Sequence, residues 1–263
     1  MNRAIFLGKK ILGYVPYLPA VFLYTKNPID FLRGYFDDQP RVILLRNGLK
    51  LHTDNRDDIS SISTILIKDE YDLGSVKNNA ARVIIDIGAN KGYFTALAAK
   101  NNLHRVFAYE PIPETFAKLK ENILENNLNN VTLVNAGVAG TAEERKFSFS
   151  LDKSILSSMV FTPGEETITV SCTTLEKIYT ENKLEKIDLL KIDCEGAEFE
   201  TFYHSSDDTL SKISTIKMEY HNDDHNPENN IEKLTQFLVS KGFARTLYKP
   251  ANTSVGIAWF VRN

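Results

Sequence analysis

Cysteine is scarce: Cys172 and Cys194 are the only two in 263 residues. That excludes a disulfide-framed scaffold and points to a reducing, cytoplasmic compartment. An excess of charge of one sign is also missing. The 31 Lys and Arg stand against 34 Asp and Glu, for a net charge of −3, so no basic surplus argues for a nucleic-acid partner. Long apolar runs are lacking too. The most apolar stretch, residues 11–24, follows Lys9-Lys10 and is broken by Pro16 and Pro19. It falls short of the roughly 20 residues a spanning helix needs, and no small-residue cleavage site follows an uninterrupted core. Neither a transmembrane helix nor a signal peptide is expected.

What is present suits a globular enzyme. With 43% hydrophobic residues the chain can bury a sizeable core, and one large α/β domain with an extension is the natural prior. Residues 1–78 form an accessory region without repeats, and 79–263 the main domain, with the polar run at residues 77–79 between them. In the accessory region, two β-prone runs flank Asn47-Gly48, the pair best suited to a type I′ turn. They predict a hairpin over residues 41–53. Residues 57–68, with Ile59, Ile62, Ile65 and Leu66 on one face, predict an amphipathic helix. For residues 5–24 four readings stay open: packing on the main domain, contact within a homo-oligomer, contact with a membrane surface or lipid-linked substrate, and disorder or an unread targeting signal.

From residue 82 strands and helices alternate, as in a parallel sheet covered on both faces. The pivotal stretch is Val83-Ile-Ile-Asp-Ile-Gly-Ala-Asn-Lys-Gly92: a β-branched run ending in an acid, a turn carried by Gly88 and Gly92, then an alanine-rich helix from Tyr93. Glycine at a strand's carboxyl end lets a nucleotide-like ligand approach the backbone and the free helix N–H groups. The plain alternative is a tight βα turn. The next strand, residues 105–109, ends at Glu110, and an acid about 20 residues after the first glycine can accept both hydroxyls of a ribose. Position 90 is Asn rather than the second glycine of a dinucleotide fingerprint, so pyrophosphate binding loses weight. The loop resembles that of Rossmann-like S-adenosylmethionine-dependent methyltransferases.

Further along, Pro111 and Pro113 open a helix with Phe116, Leu119, Ile123 and Leu124 on its inner stripe, and residues 131–134 form a strand leading to Asn135. Residues 145–150 and 166–172 alternate with period two and predict an inserted ribbon around a loop holding Ser157, Ser158, Met159, Pro163 and Gly164. Helices at 174–179, 197–203 and 228–241, strands at 187–192 and 213–218, and a closing pair at 243–248 and 255–261 complete seven main strands.

Lys191-Ile-Asp-Cys-Glu-Gly-Ala-Glu198 gathers three acids and a lysine at a strand's carboxyl end, where the reaction centre of such a sheet lies. It resembles the FkbM methyltransferase signature K-x-D-x-E-G-x-E at every fixed position, and Asp86, Gly88, Ala89, Asn90 and Gly92 match that family's D-x-G-A-N-x-G. Lys217-Met-Glu-Tyr-His221 adds an acid and a histidine at the end of a further strand. The resemblance spans roughly residues 70–260. It implies a class I methyltransferase fold: a seven-stranded, mostly parallel sheet with helices on both faces, here with an N-terminal helical and β-hairpin extension. It also implies S-adenosylmethionine as cofactor, contacted by Asp86, Gly88, Asn90, Gly92, Tyr93, Glu110, Pro111 and Asn135. Many related methyltransferases place Asp where Asn135 stands, and Asn can accept the same hydrogen bond from adenine. The implied reaction is O-methylation of a hydroxyl on a sugar, glycan, glycolipid or secondary metabolite.

The candidate bases are Asp193, Glu195 and His221, with Glu219 beside them. Each has a plainer use: Asp193 as cap of the following helix, His221 as a loop residue, Lys191 as a balance for the carboxylates, Glu198 as an ordinary first-turn acid. No metal is assigned, although Asp193, Glu219 and His221 together are a conceivable cation set. Two other functions remain open. Gly92-Tyr-Phe-Thr95 and Lys120-Glu-Asn122 also resemble tRNA methyltransferases, and a non-catalytic binding or assembly protein could keep the same fold.

Overall fold

The computed structural model describes residues 15–76, 80–149, 157–158, 166–223 and 225–263, in two units, Met1–Gly74 and Ser75–Asn263. In the first unit, α1 (Leu18–Tyr24) and α2 (Pro28–Arg33) each carry proline in the first turn, where its missing N–H costs nothing. The hairpin is present, with β1 (Arg41–Leu44) antiparallel to β2 (Lys50–Thr53), but its turn is not the expected type I′: only Gly48 is left-handed (φ 93°), Asn47 is not, and the Gly48 N–H closes the turn on the Leu45 carbonyl at 3.0 Å. α3 (Arg56–Ile62) starts just before the expected residue 57 because Asn55 caps it. The Asn55 side chain accepts from the N–H groups of Asp57 and Asp58, and Asp58 accepts in return from the cap N–H. The rest of the expected helix widens into a π-helical turn, Ser63–Ile67, before a one-turn α4 (Leu73–Val76). Residues 77–79 lie outside the described residues.

The second unit begins with β3 (Val83–Ile87), α5 (Tyr93–Ala99), β4 (Arg105–Tyr109), α6 (Pro113–Glu125) and β5 (Val131–Val134). A ribbon follows: β6 (Gly137–Val138), β7 (Glu144–Phe149), β8 (Ser157–Ser158) and β9 (Glu166–Thr173). The chain then runs through α7 (Leu175–Asn182), β10 (Leu189–Ile192), α8 (Glu198–Tyr203), α9 (Asp207–Ser211), β11 (Thr215–His221), α10 (Ile231–Ser240), β12 (Phe243–Pro250) and β13 (Val255–Arg262). The main sheet has seven strands in the order β12-β13-β11-β10-β3-β4-β5. All neighbours are parallel except β13, which is antiparallel to both β11 and β12. This is the class I methyltransferase arrangement. The order reverses between β3 and β10, so a crevice opens at their carboxyl ends, where such sheets bind ligands. Ile84, Ile85, Val106, Phe107, Leu189, Leu190, Ile216 and Met218 are all buried. Strands covered on both faces read as continuous apolar runs for this reason.

Three further expectations need correction. Leu124 is 63% exposed rather than part of the inner stripe of α6. Its place is taken by buried Asn122, whose side chain donates to the Lys91 carbonyl at 2.8 Å. Ser157 and Ser158, assigned to a loop, pair antiparallel with Ser148 and Phe149, while Met159, Pro163 and Gly164 lie outside the described residues. The inserted ribbon forms as β7 against β9, but it gains an unexpected strand, β6, parallel to β9. Phe237 is half-buried, its ring edge-on to Tyr203 at 5.1 Å.

Candidate active site

The site grows from the register of β3 and β10, which sets Asp86 beside Lys191. Lys191 Nζ lies 3.1 Å from Asp86 Oδ1 and donates to the carbonyl of Gly88 at 2.7 Å and of Ile87 at 3.3 Å. Thr95 donates to the other carboxylate oxygen of Asp86. Burial disfavours the charged lysine, but Asp86 and Asp193 outweigh it and hold Lys191 protonated. Asp86 is fully buried. Its carboxylate is held by Thr95 and by Lys191, and it supports the glycine loop through the Lys191 amine that donates to the Gly88 carbonyl, a use the sequence did not suggest.

The loop itself is bent by three left-handed residues, Gly88 (φ 70°), Asn90 (φ 50°) and Gly92 (φ 83°). At Gly88 the missing Cβ makes room for protein: a Cβ there would stand 1.7 Å from the Asp193 carbonyl oxygen. At Gly92 it would meet Leu119 Cδ1 at 2.3 Å. The glycines thus let the loop after β3 touch the loop after β10 and let α5 pack on α6. Asn90 is exposed, and Tyr93 is buried at the start of α5.

Glu110 follows β4, only 5% exposed. Its Oε2 accepts from the Asn90 N–H at 2.9 Å and its Oε1 from the Ile112 N–H at 3.0 Å. Burial pushes this carboxyl up to about 7, against the pull of those two N–H groups. Each oxygen keeps a lone pair, so the carboxylate can still accept two hydroxyls. Asn135 uses its amide nitrogen on the carbonyls of Glu110 (2.8 Å) and Pro111 (3.0 Å), leaving its side-chain oxygen as the acceptor.

Across the crevice, β10 ends in a sharp reversal, with Glu195 at φ 54° and Gly196 at φ 105°. Glu198 makes that reversal possible. Its fully buried carboxylate accepts from the N–H of Gly196 at 2.8 Å and of Cys194 at 3.3 Å, filling the concavity that successive left-handed residues create. Its Oε1 also lies 2.8 Å from His221 Nδ1, and His221 Nε2 lies 3.4 Å from Glu195 Oε2. The order is Glu198, His221, Glu195, with His221 brought in from the end of β11. Burial lowers the His221 pKa, but Glu198, Glu195 and Asp193 together raise it to about 10. Burial raises Glu195 to about 7, with His221 pulling the other way. Asp193 lies 3.7 Å from Lys191 Nζ. It does not cap α8, whose N-cap residue is Ala197 with no side-chain bond. Glu198, expected to be an ordinary first-turn acid, is the centre of the arrangement. Its position in the K-x-D-x-E-G-x-E pattern was the available signal.

Asp193, Glu219 and His221 offer ligand atoms within 4.8 Å of one another, close enough to hold one cation. A histidine must be neutral to ligate, whereas Glu198 and Glu195 favour the imidazolium. The two uses of His221 compete.

Residues 86–244, more than half of the chain, match the family model described as the methyltransferase FkbM domain. No significant match was found among curated proteins. Solved structures similar to the chain are matched at low identity. They include precorrin-6y C5,15-methyltransferase from Geobacter metallireducens (17% identity, 75% of this chain and 89% of that one, TM-score 0.43) and an rRNA methylase from Streptococcus thermophilus (12%, 74% and 95%, 0.45). A third is magnesium protoporphyrin IX methyltransferase from Synechocystis with bound S-adenosylmethionine (10%, 79% and 82%, 0.46). With both sequence motifs meeting at the crevice and the family model matched across it, the chain belongs to the FkbM-domain methyltransferases, and its cofactor is S-adenosylmethionine.

Proposed function

We propose that this enzyme methylates a hydroxyl oxygen on a small molecule or glycan and that Glu195 takes the hydroxyl proton. The observation that supports this reading is the Glu198–His221–Glu195 line at the carboxyl end of β10, beside the Gly88 loop. When bound, S-adenosylmethionine supplies a methyl carbon made electrophilic by its sulfonium. Glu110 fits the ribose through its two remaining acceptor positions, Asn90, Gly92, Tyr93 and Pro111 flank it, and the Asn135 oxygen suits the adenine amine. Asp86 and Gly88 serve by holding the loop's shape.

The acceptor oxygen forms the C–O bond as the S–CH₃ bond breaks, and its proton passes to Glu195. Alignment of the reacting atoms can supply about 7–11 kcal/mol of the barrier, and a positioned base a further factor of about 10²–10⁴. Glu195, at about 7, is poised to accept a proton near neutral pH. His221, at about 10, is already protonated there and acts by holding the Glu195 carboxylate. Asp193 has the role of orienting the acceptor hydroxyl in this reading.

The test is methyl transfer from labelled S-adenosylmethionine to sugars, glycolipids, polyketides and RNA, comparing the native enzyme with Glu195→Gln. The expected result is O-methyl product from a small-molecule or glycan acceptor, with turnover reduced about 10²–10⁴-fold in the variant. Product on RNA alone, N- or C-methyl product, or undiminished turnover of Glu195→Gln overturns the proposal.

A further inference from the structure

We infer that the N-terminal unit carries a face that docks on an anionic lipid bilayer surface, formed by Pro19, Phe22 and Leu23 of α1 and Ile29 and Arg33 of α2, with Lys26, Phe36 and Arg46 beside them. The inner sides of these helices are already packed, with Val21, Thr25, Phe31 and Tyr35 buried. The outer sides are apolar all the same. Phe22 is 51% exposed, Leu23 65%, Ile29 61% and Phe36 49%. Pro19, Phe22 and Leu23 stand at i, i+3 and i+4 and so share one face of α1, as Ile29 and Arg33 share one face of α2. Large apolar side chains turned outward from a satisfied core mark a contact surface rather than packing.

Charge selects the partner. Residues 1–29 contain Arg3, Lys9, Lys10 and Lys26 and no Asp or Glu, in a chain whose net charge is −3. Lys26, Arg33 and Arg46 are exposed; Lys26 follows Leu23 by three residues, Arg33 stands one helical turn after Ile29, and Arg46 Nε donates to the Phe22 carbonyl at 3.1 Å, fixing a guanidinium beside the apolar stripe. The nearest acid, Asp30 on α2 itself, accepts from the Asn27 side chain at 3.3 Å, and the next two are engaged within the unit, Asp37 with Arg41 and Asp38 with Arg56. Aromatic and aliphatic side chains ringed by cations match the boundary between acyl chains and anionic headgroups. Two copies meeting through this face would instead set like charges against each other. Among the described residues no helix is long and apolar enough to cross a membrane, so the contact is with the surface.

The experiment is co-sedimentation of the full chain with phosphatidylcholine vesicles, with and without phosphatidylglycerol, at low and high salt. Sedimentation equilibrium without lipid runs alongside. The native protein is expected to bind the phosphatidylglycerol vesicles, and less at high salt. Phe22→Ser with Leu23→Ser, and separately Lys26→Glu with Arg46→Glu, should each weaken binding about tenfold or more while circular dichroism stays native. No binding by the native chain, equal binding to both vesicle types, or unchanged binding by both variants overturns the inference. So does a native dimer that Phe22→Ser with Leu23→Ser dissociates, because a second copy then covers the face.

Discussion

At His221 burial and charge oppose each other, and charge wins. Burial favours the neutral ring, yet Glu198 at 2.8 Å and Glu195 at 3.4 Å raise its pKa from 6.5 to about 10. The pair therefore contributes its full stabilisation below the ordinary value of 6.5 and loses it as the pH climbs through about 10. With Glu195 in the proposed role of base, catalysis inherits the same limits. Below about 7 Glu195 is protonated and cannot accept a proton, and above about 10 His221 ceases to be a cation. The pH profile of kcat/KM should be a bell with limbs near those values. Glu198→Gln removes the strongest support of the imidazolium, so the alkaline limb should move to lower pH by a unit or more. A purely structural role for Glu198 would lower the melting temperature and leave that limb in place. Glu195 and His221 were legible as candidates in the sequence because acids and a histidine at strand ends can carry chemistry. Glu198 was not, because its partner lies 23 residues away on another strand and a first-turn acid in a helix needs no special explanation.

The elements themselves were largely legible, since strand runs, glycine turns and proline-led helices follow local chemistry. Errors came where long-range packing decides. Leu124 fits the helical period of α6, but the inner position belongs to Asn122 because the Lys91 carbonyl needs a donor there. β6 has two residues and no periodicity to read, and it exists because β9 offers a free edge. The glycine loop joins both cases. Its φ > 0 turn could be predicted from composition, but the Asp193 carbonyl pressed against Gly88 could not. Gly88→Ala should cost at least about 3 kcal/mol in urea unfolding, since a Cβ 1.7 Å from a backbone oxygen forces two loops apart in addition to the strain of φ 70°. In the first unit, Asn55→Ala removes a capping box at α3 and should cost about 1 kcal/mol. A Gly88→Ala protein as stable as the native one would show that the two loops do not need to touch.

For the methyltransferase unit as a whole, the proposed ribose contact links cofactor binding, pH and stability through Glu110. Burial raises its carboxyl from 4.5 to about 7, so as the pH rises from 4.5 toward 7 the folded unit loses stability, because the unfolded chain ionises there while the buried group keeps its proton. A ribose changes the balance, because only the ionised carboxylate can accept from two hydroxyls while keeping its bonds from the Asn90 and Ile112 N–H groups. The affinity for S-adenosylmethionine should then weaken as pH falls below about 7, by up to about tenfold per unit, and calorimetry should record proton release at pH 6 to 7. At a concentration about 100 times the dissociation constant, binding stabilises the folded unit by about 2.7 kcal/mol, which for a domain of this size is roughly 5–10 °C of melting temperature. Glu110→Gln offers one acceptor oxygen and no titrating proton, so both the thermal shift and its pH dependence should largely disappear while the unliganded protein gains stability at pH 7. A native-sized thermal shift in Glu110→Gln would remove Glu110 from the ribose site and leave its burial a feature of the fold alone. A lost shift with a pH-independent native affinity would keep the contact but assign it to the protonated acid.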